Sequence, residues 1–237
     1  MEPVLVYGVP AGSSMGLVAA LEWMGQPYRL CRVDMLGEMR EASYARINAR
    51  HETPVLITDD GRSLSETMAI AAWLEARDTG RRISFEPHSP QADHMHQWMA
   101  FINTGFTGAF APLWTALEMD PPDPHQQASL RRFGREAVIE RHDKLEAMLR
   151  NSPHAFLAGE RPTLADGLLI GVARWLDFHA IAEPGRWPRL AALRARRQAD
   201  AAVQFALAIE NGEQPRGTGA CRGHVALADL IGQATPA

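Results

Sequence analysis

Two adjacent serines, Ser13 and Ser14, follow a short apolar run and stand where a helical period begins. Hydroxyls in that position can donate to an anion, and a helix start adds open N–H groups and the positive end of its dipole. The surrounding Gly12-Ser13-Ser14-Met15-Gly16 also fits the G-x-S-x-G nucleophile elbow of an α/β-hydrolase. That fold needs a longer, mostly parallel sheet with Asp and His partners downstream. The sheet predicted here ends by residue 65, so the hydrolase reading is set aside. A second helix start carries Glu66 and Thr67. Its free N–H groups favour a carboxylate, while the Glu66 side chain can hold an ammonium; a plain helix cap is the structural alternative. Other combinations carry less. His94 and His96 are two apart on a predicted helix and do not share a face, and Cys221-x-x-His224 supplies only two metal ligands. Gly217-Thr218-Gly219 has no preceding strand or nucleotide-binding spacing.

The elements that must position these residues are legible from pattern. Val4-Leu5-Val6-Tyr7 reads as a buried strand stopped by Gly8 and Pro10. Leu17, Val18, Leu21 and Met24 recur at helical spacing, and Tyr28 to Val33 alternates with period two. The opening is therefore β-α-β. A short helix is expected around Ala42 to Asn48. Pro54 to Thr58 and Ser63-Leu64 then flank the turn Asp59-Asp60-Gly61, a hairpin signal. A helix follows from Ser65-Glu66 to about Gly80. From Gly80 to Pro90 the chain is polar and broken by prolines, which marks a domain boundary between 1–80 and 90–237. Beyond it no strand is predicted. Helices are expected at about Gln91 to Glu118, His125 to Arg150, Thr163 to His179, and Pro188 to Ile209 with a break near Gln198.

Composition agrees with this plan. Of 237 residues, 46% are hydrophobic and 22% charged, enough apolar material for one or two cores. A net charge of −4 offers no broad cationic surface for nucleic acid. Two cysteines, Cys31 and Cys221, cannot form a disulfide framework, so a reducing cytoplasm is the expected compartment. No apolar stretch approaches the roughly 20 residues of a membrane span.

Four segments taken together resemble the soluble glutathione transferases: YGVPAGSSMGLVAALEWMG from Tyr7, TPVLITDDGRSLSETMAIAAWL from Thr53, WMAFINTGFTGAFAPLW from Trp98 and FLAGERPTLADGLL from Phe156. The P-x-x-S-S turn and the run ending in Pro112-Leu113-Trp114 are most similar to the bacterial beta class. The resemblance implies a thioredoxin-like β-α-β-α-β-β-α domain followed by an all-helical domain. It also implies glutathione as co-substrate, a small hydrophobic electrophile as its partner in reaction, and a homodimer. It makes Thr53-Pro54 a cis bond that turns the backbone of Thr53 toward the tripeptide's cysteinyl group. Glu66 and Thr67 would receive the γ-glutamyl end. Arg50 becomes a candidate cation for the glycyl carboxylate, although Glu52 beside it is an odd neighbour. Thr163 to Asp166 has the spacing of a capping box, a folding device.

Glutathione transfer needs a thiol near pKa 8.5 lowered by roughly two units, about 2.7 kcal/mol. One or two hydrogen bonds to the thiolate, each about 1.5–3 kcal/mol, supply that. The candidate donors rank Ser13, Ser14, then Tyr7. In the beta class the position of Ser13 is usually cysteine, and Thr107 stands where a histidine is usual, which removes mixed-disulfide chemistry and puts cross-subunit contacts in question. Trp98, Phe101, Phe106, Phe110 and Trp114 read first as helix-bundle core, and of these Phe106 and Phe110 are the candidates for an electrophile wall. A non-catalytic binding or interaction module is the alternative function. The segment from Asn211 to Ala237 lies past the resemblance. Its Val225, Leu227, Leu230 and Ile231 are expected either to fold over the mouth of the interdomain cleft or to belong to a loose terminus.

Overall fold

The computed structural model describes residues 1–152, 154–181 and 183–233. Strand β1 (Val4–Val9) is apolar at almost every position and buried throughout, as a strand covered on both faces must be. It pairs in parallel with β2 (Tyr28–Asp34) and antiparallel with β3 (Val55–Ile57), which forms a hairpin with β4 (Ser63–Ser65). Gly61, at φ 85°, supplies the left-handed residue of that hairpin turn. Between β1 and β2 runs α1 (Met15–Met24), ended by Gly25 in the left-handed conformation. Two 3-10 turns, Glu38–Arg40 and Ala42–Arg46, replace the expected short helix. Helix α2 (Thr67–Arg77) follows β4.

The helical half begins with α3 (Pro90–Ala100), capped by Ser89, whose hydroxyl accepts from Ala92 N–H. The single helix expected to Glu118 is interrupted by a π-helical stretch, Phe101–Thr107, and a 3-10 turn, Gly108–Phe110, before α4 (Ala111–Glu118). Pro112 accounts for part of this, because it lacks the N–H that would bond four residues back and its ring crowds that carbonyl. Then come α5 (Pro124–Arg150), α6 (Leu164–Ala173), α7 (Trp175–Phe178), α8 (Pro188–Gln198) and α9 (Ala201–Glu210). The break near Gln198 is where it was expected. The capping box forms: Thr163 N–H donates to Asp166 at 2.8 Å, and Arg197 pairs with the same buried carboxylate.

Two glycine contacts seat the halves on each other. Gly16 of α1 lies against the carbonyl of Gly167, and Gly171 against that of Ser13, with no room for a Cβ at either. One large core spans α1, α2, the inner sheet face and the helical half.

The tail departs from expectation. Cys221–His224 forms a fifth strand, β5, parallel to β2, giving the order β4-β3-β1-β2-β5. Helix α10 (Leu227–Gln233) then brings Leu230 onto the outer sheet face, in a second cluster with Val4, Val6, Val33 and Tyr44. The tail therefore covers the sheet face away from the large core, not the mouth of the cleft, and residues expected with the helical half rejoin the sheet. The last four, 234–237, lie outside the described residues. The physical reason is an unfilled site. The short 3-10 turns leave apolar β1 and β2 side chains uncovered, and the edge of β2 has open backbone groups.

Candidate active site

A cleft of about 550 Å³ opens where the first turn, the β3 entry and the α2 start face the helical half. Gly12, Ser13, Thr53, Pro54, Glu66 and Thr67 form one side, and Trp114, Glu118 and Trp175 the other. Among the described residues six non-glycine positions have positive φ, and three of them, Ala11 (55°), His51 (55°) and Glu66 (73°), line this cleft. Strain of this kind concentrates where backbone groups must be aimed at something other than the fold itself.

The three candidate hydroxyls separate. Ser13 is half-buried on the cleft wall, and its hydroxyl makes no hydrogen bond with a described residue. Ser14 is fully buried, and its Oγ accepts from Gly8 N–H at 3.1 Å, closing the turn from inside. Tyr7 lies within β1, not at its end. Its hydroxyl meets His224 Nε2 at 3.1 Å and the Ile209 carbonyl at 3.4 Å, away from the cleft. Burial pushes its phenol up to about 12.

Thr53-Pro54 is cis, and the backbone N–H and C=O of Thr53 form no hydrogen bond with any described residue. Beside it, Arg50 is already engaged. Its Nε donates to Glu52 at 2.8 Å, and its Nη2 to Glu66 at 2.6 Å and Ser65 at 3.1 Å. The hydrogen bond to Glu52, with help from both carboxylates, raises its pKa further. A glycyl carboxylate would thus compete with two resident carboxylates for this guanidinium, whereas Glu66 at the α2 start keeps a second oxygen for an ammonium.

Phe106 and Phe110 do not reach the cleft; both are fully buried. Phe106 packs on His142 with ring centroids 4.5 Å apart, and Phe110 stands edge-on behind Trp175 at 5.5 Å. The aromatic wall is Trp114 and Trp175, edge to face at 5.2 Å. Trp114 has the same i, i+4 spacing as the two phenylalanines but is half-buried on the cleft wall where they are fully buried. Trp175 had no sequence signal. Thr107, within the π-helical stretch, is not among the cleft-lining residues. His96 pairs with Glu75 at 2.8 Å, and His94 accepts from Trp98 Nε1 at 3.1 Å. Among the described residues no three His, Cys, Asp or Glu side chains form a metal-binding group, and no helix is long and apolar enough to cross a membrane.

Residues 14–77 match the family model for the glutathione S-transferase N-terminal domain, and residues 108–199 that for the C-terminal domain. The chain belongs to the glutathione transferase superfamily. Glutathione S-transferase GstA of Escherichia coli O157:H7 is 25% identical over 171 residues, spanning 70% of this chain and 79% of that protein. The solved glutathione transferase of Methylococcus capsulatus superposes with a TM-score of 0.76 at 26% identity, covering 88% of this chain and 98% of the other. A glutathione transferase homologue from Sulfitobacter, solved with bound glutathione, has the same fold at a TM-score of 0.75 and 23% identity, with 90% and 99% covered. In this superfamily member the two domains meet at the cleft described above.

Proposed function

We propose that this chain is a glutathione transferase that binds glutathione along the β3 entry and adds its thiolate to a small hydrophobic electrophile. The observation that carries the reading is convergence. The Ser13 hydroxyl, the unpaired Thr53 backbone and the Glu66–Thr67 helix start line one cleft with an aromatic wall opposite. Thr53 would pair with the cysteinyl unit, Glu66 with the γ-glutamyl ammonium, and Thr67 with its carboxylate. Ser13 would hold the sulfur as thiolate, contributing about 1.5–3 kcal/mol. The electrophile would lie against Trp114 and Trp175. A homodimer in a reducing compartment completes the proposal, and exposed Phe133 and Leu117 on α5 and α4 are available for a partner surface.

One observation favours the alternative of a non-catalytic binder: Ser13 is the single one of the three candidate hydroxyls that lines the cleft, since Tyr7 and Ser14 are spent on the fold. Calorimetric titration with glutathione, ultraviolet titration of the bound thiol and turnover of an aromatic electrophile separate the two. Binding with a depressed thiol pKa and turnover supports the transferase, and binding with an unshifted thiol and no turnover supports the binder.

A further inference from the structure

Arg174 sits between α6 and α7, behind the turn that carries Ser13, and is not part of the cleft wall. Its Nη2 donates to the Gly12 carbonyl at 2.7 Å and to Glu210 Oε1 at 2.7 Å, while Nη1 holds the other oxygen of Glu210. The neighbouring Trp175 donates from Nε1 to the Ala11 carbonyl at 2.7 Å. Two consecutive carbonyls ahead of Ser13 are therefore fixed from the helical domain. In a trans peptide the N–H points opposite to the C=O. Orienting the carbonyls of Ala11 and Gly12 thus also orients the N–H groups of Gly12 and Ser13, neither of which bonds to a described residue. Ala11 itself is held at φ 55°, a conformation it would leave without restraint. Gly171, pressed on the Ser13 carbonyl, brings α6 close enough for this.

We infer that Arg174, clamped by Glu210, is a positioning residue that sets the Ala11–Ser13 turn so that the Ser13 hydroxyl and the adjoining backbone N–H groups converge on the bound sulfur. The inference rests on the conjugation reading above. Because Glu210 neutralises the guanidinium, the effect is geometric: donors fixed in advance stabilise a charge that a mobile turn would stabilise less. Lysine keeps the charge and lacks the planar fork that spans carbonyl and carboxylate together.

The test is ultraviolet titration of the glutathione thiol bound to wild type, Arg174→Gln, Arg174→Lys, Glu210→Gln and the double variant Arg174→Gln/Glu210→Gln. Arg174→Gln is expected to raise the bound thiol's pKa by about one unit, a tenfold loss of thiolate below neutrality. Its glutathione Kd, measured below the titration, should stay within about threefold, a small change on the affinity scale. Lysine should restore at most part of the shift, and the double variant should match Arg174→Gln alone because the two residues act as one unit. Arg186→Gln, which breaks an ion pair with Asp143 in the helical domain, controls for stability loss and should leave the titration in place. If Arg174→Gln does not fold, Trp175→Phe removes the donor to Ala11 from the same turn; it also trims the aromatic wall, but a titration run without electrophile reads the turn, and the thiol should shift in the same direction. A wild-type thiol that titrates as in free solution removes the conjugation reading and this inference with it. A depressed wild-type value left unchanged by folded Arg174→Gln, or by Trp175→Phe where it must stand in, removes the inference alone.

Discussion

The Tyr7 hydroxyl and His224 Nε2 meet at 3.1 Å across 217 residues of chain, tying the central strand to the C-terminal extension. A phenol raised to about 12 by burial does not titrate near neutrality, and its lone pairs and proton are turned from the cleft. Tyr7→Phe should therefore leave the bound thiol's titration and the glutathione Kd unchanged while lowering stability by about 1 kcal/mol, the net worth of a typical hydrogen bond. Denaturation and thiol titration of the same sample check this. A thiol that loses its shift in Tyr7→Phe would return Tyr7 to the reaction.

The two serines should part company. Ser13→Ala removes the donor that lines the cleft, so the bound thiol should rise by about one to two pKa units with its stability little changed. The rate profile follows in sign: kcat/KM, which climbs with pH as the thiol ionises, should climb at a higher pH in this variant. Ser14→Ala leaves the buried Gly8 N–H without an acceptor, and its cost should appear in stability, about 1–3 kcal/mol. A pH profile moved by Ser14→Ala and unmoved by Ser13→Ala would reverse the assignment.

Glu66→Gln should weaken glutathione about tenfold or more, because an ammonium loses a charged acceptor worth about 1.5–3 kcal/mol. The same change frees Arg50 from one of its two carboxylates. Part of the loss should then be regained for the ligand's own carboxylates, so a glutathione analogue lacking the α-amino group should bind Glu66→Gln as well as or better than wild type. Equal loss for both ligands would place the Glu66 effect in the fold.

What could be read in the sequence followed the strength of local signals. β1, the Asp59–Gly61 hairpin, the Thr163 capping box and the break near Gln198 each have a short-range cause, and each is where the pattern placed it. Ser13, Glu66 and Thr67 stand out by their place at helix starts and Thr53 by the family resemblance, and all four line one cleft. Trp175 and Arg174 carry no local signal, since their hydrogen bonds reach 164 and 162 residues back to the first turn, a relation no window contains. Phe106, Phe110 and Trp114 share one i, i+4 spacing, yet the helix is broken along it, and the two phenylalanines are fully buried while Trp114 is half-buried on the cleft wall. β5 was missed because Cys221-Arg222-Gly223-His224 lacks the β-branched alternation of a strand; it forms as an edge on β2, where backbone pairing suffices.

His142 makes the fold sensitive to acid. It is fully buried against Phe106 and Trp187, its Nδ1 donates to the Val138 carbonyl at 2.7 Å, and its Nε2 has no partner among the described residues. Burial lowers its pKa to about 4. An unfolded chain takes up the proton near 6.5 and the folded one refuses it until about 4, so stability is full above 6.5 and falls as pH drops through that window. The loss amounts to about 3 kcal/mol. His142→Phe should flatten the stability–pH curve between those limits relative to wild type, as measured by denaturant unfolding at several pH values. Parallel curves would mean that His142 is not the group responsible.

Truncation after Glu210 should destabilise the protein without retuning its cleft. Glu22 is buried, and its carboxylate accepts from the Tyr28 hydroxyl at 2.7 Å, from Thr218 N–H at 2.7 Å and from the Thr218 hydroxyl at 2.9 Å. Two of those three donors belong to the extension. Removing it strips a buried charge of most of its partners, a loss of about 1–3 kcal/mol for each unsatisfied group. It also uncovers Val4, Val6 and Val33 beneath Leu230. Leu230→Ala isolates that second contribution and should cost about 2 kcal/mol, at the low end for a large-to-small change because the site lies at the rim of its cluster. Denaturation midpoints and binding of a hydrophobic dye would report both losses. The kinetic comparison decides the placement. Because α10 packs on the outer sheet face and no described residue of the extension lines the cleft, the ratio of kcat/KM for bulky and small electrophiles should be the same with and without the extension, so long as the truncated chain is assayed below its midpoint. A ratio that rises for bulky electrophiles on truncation would put the extension over the cleft after all.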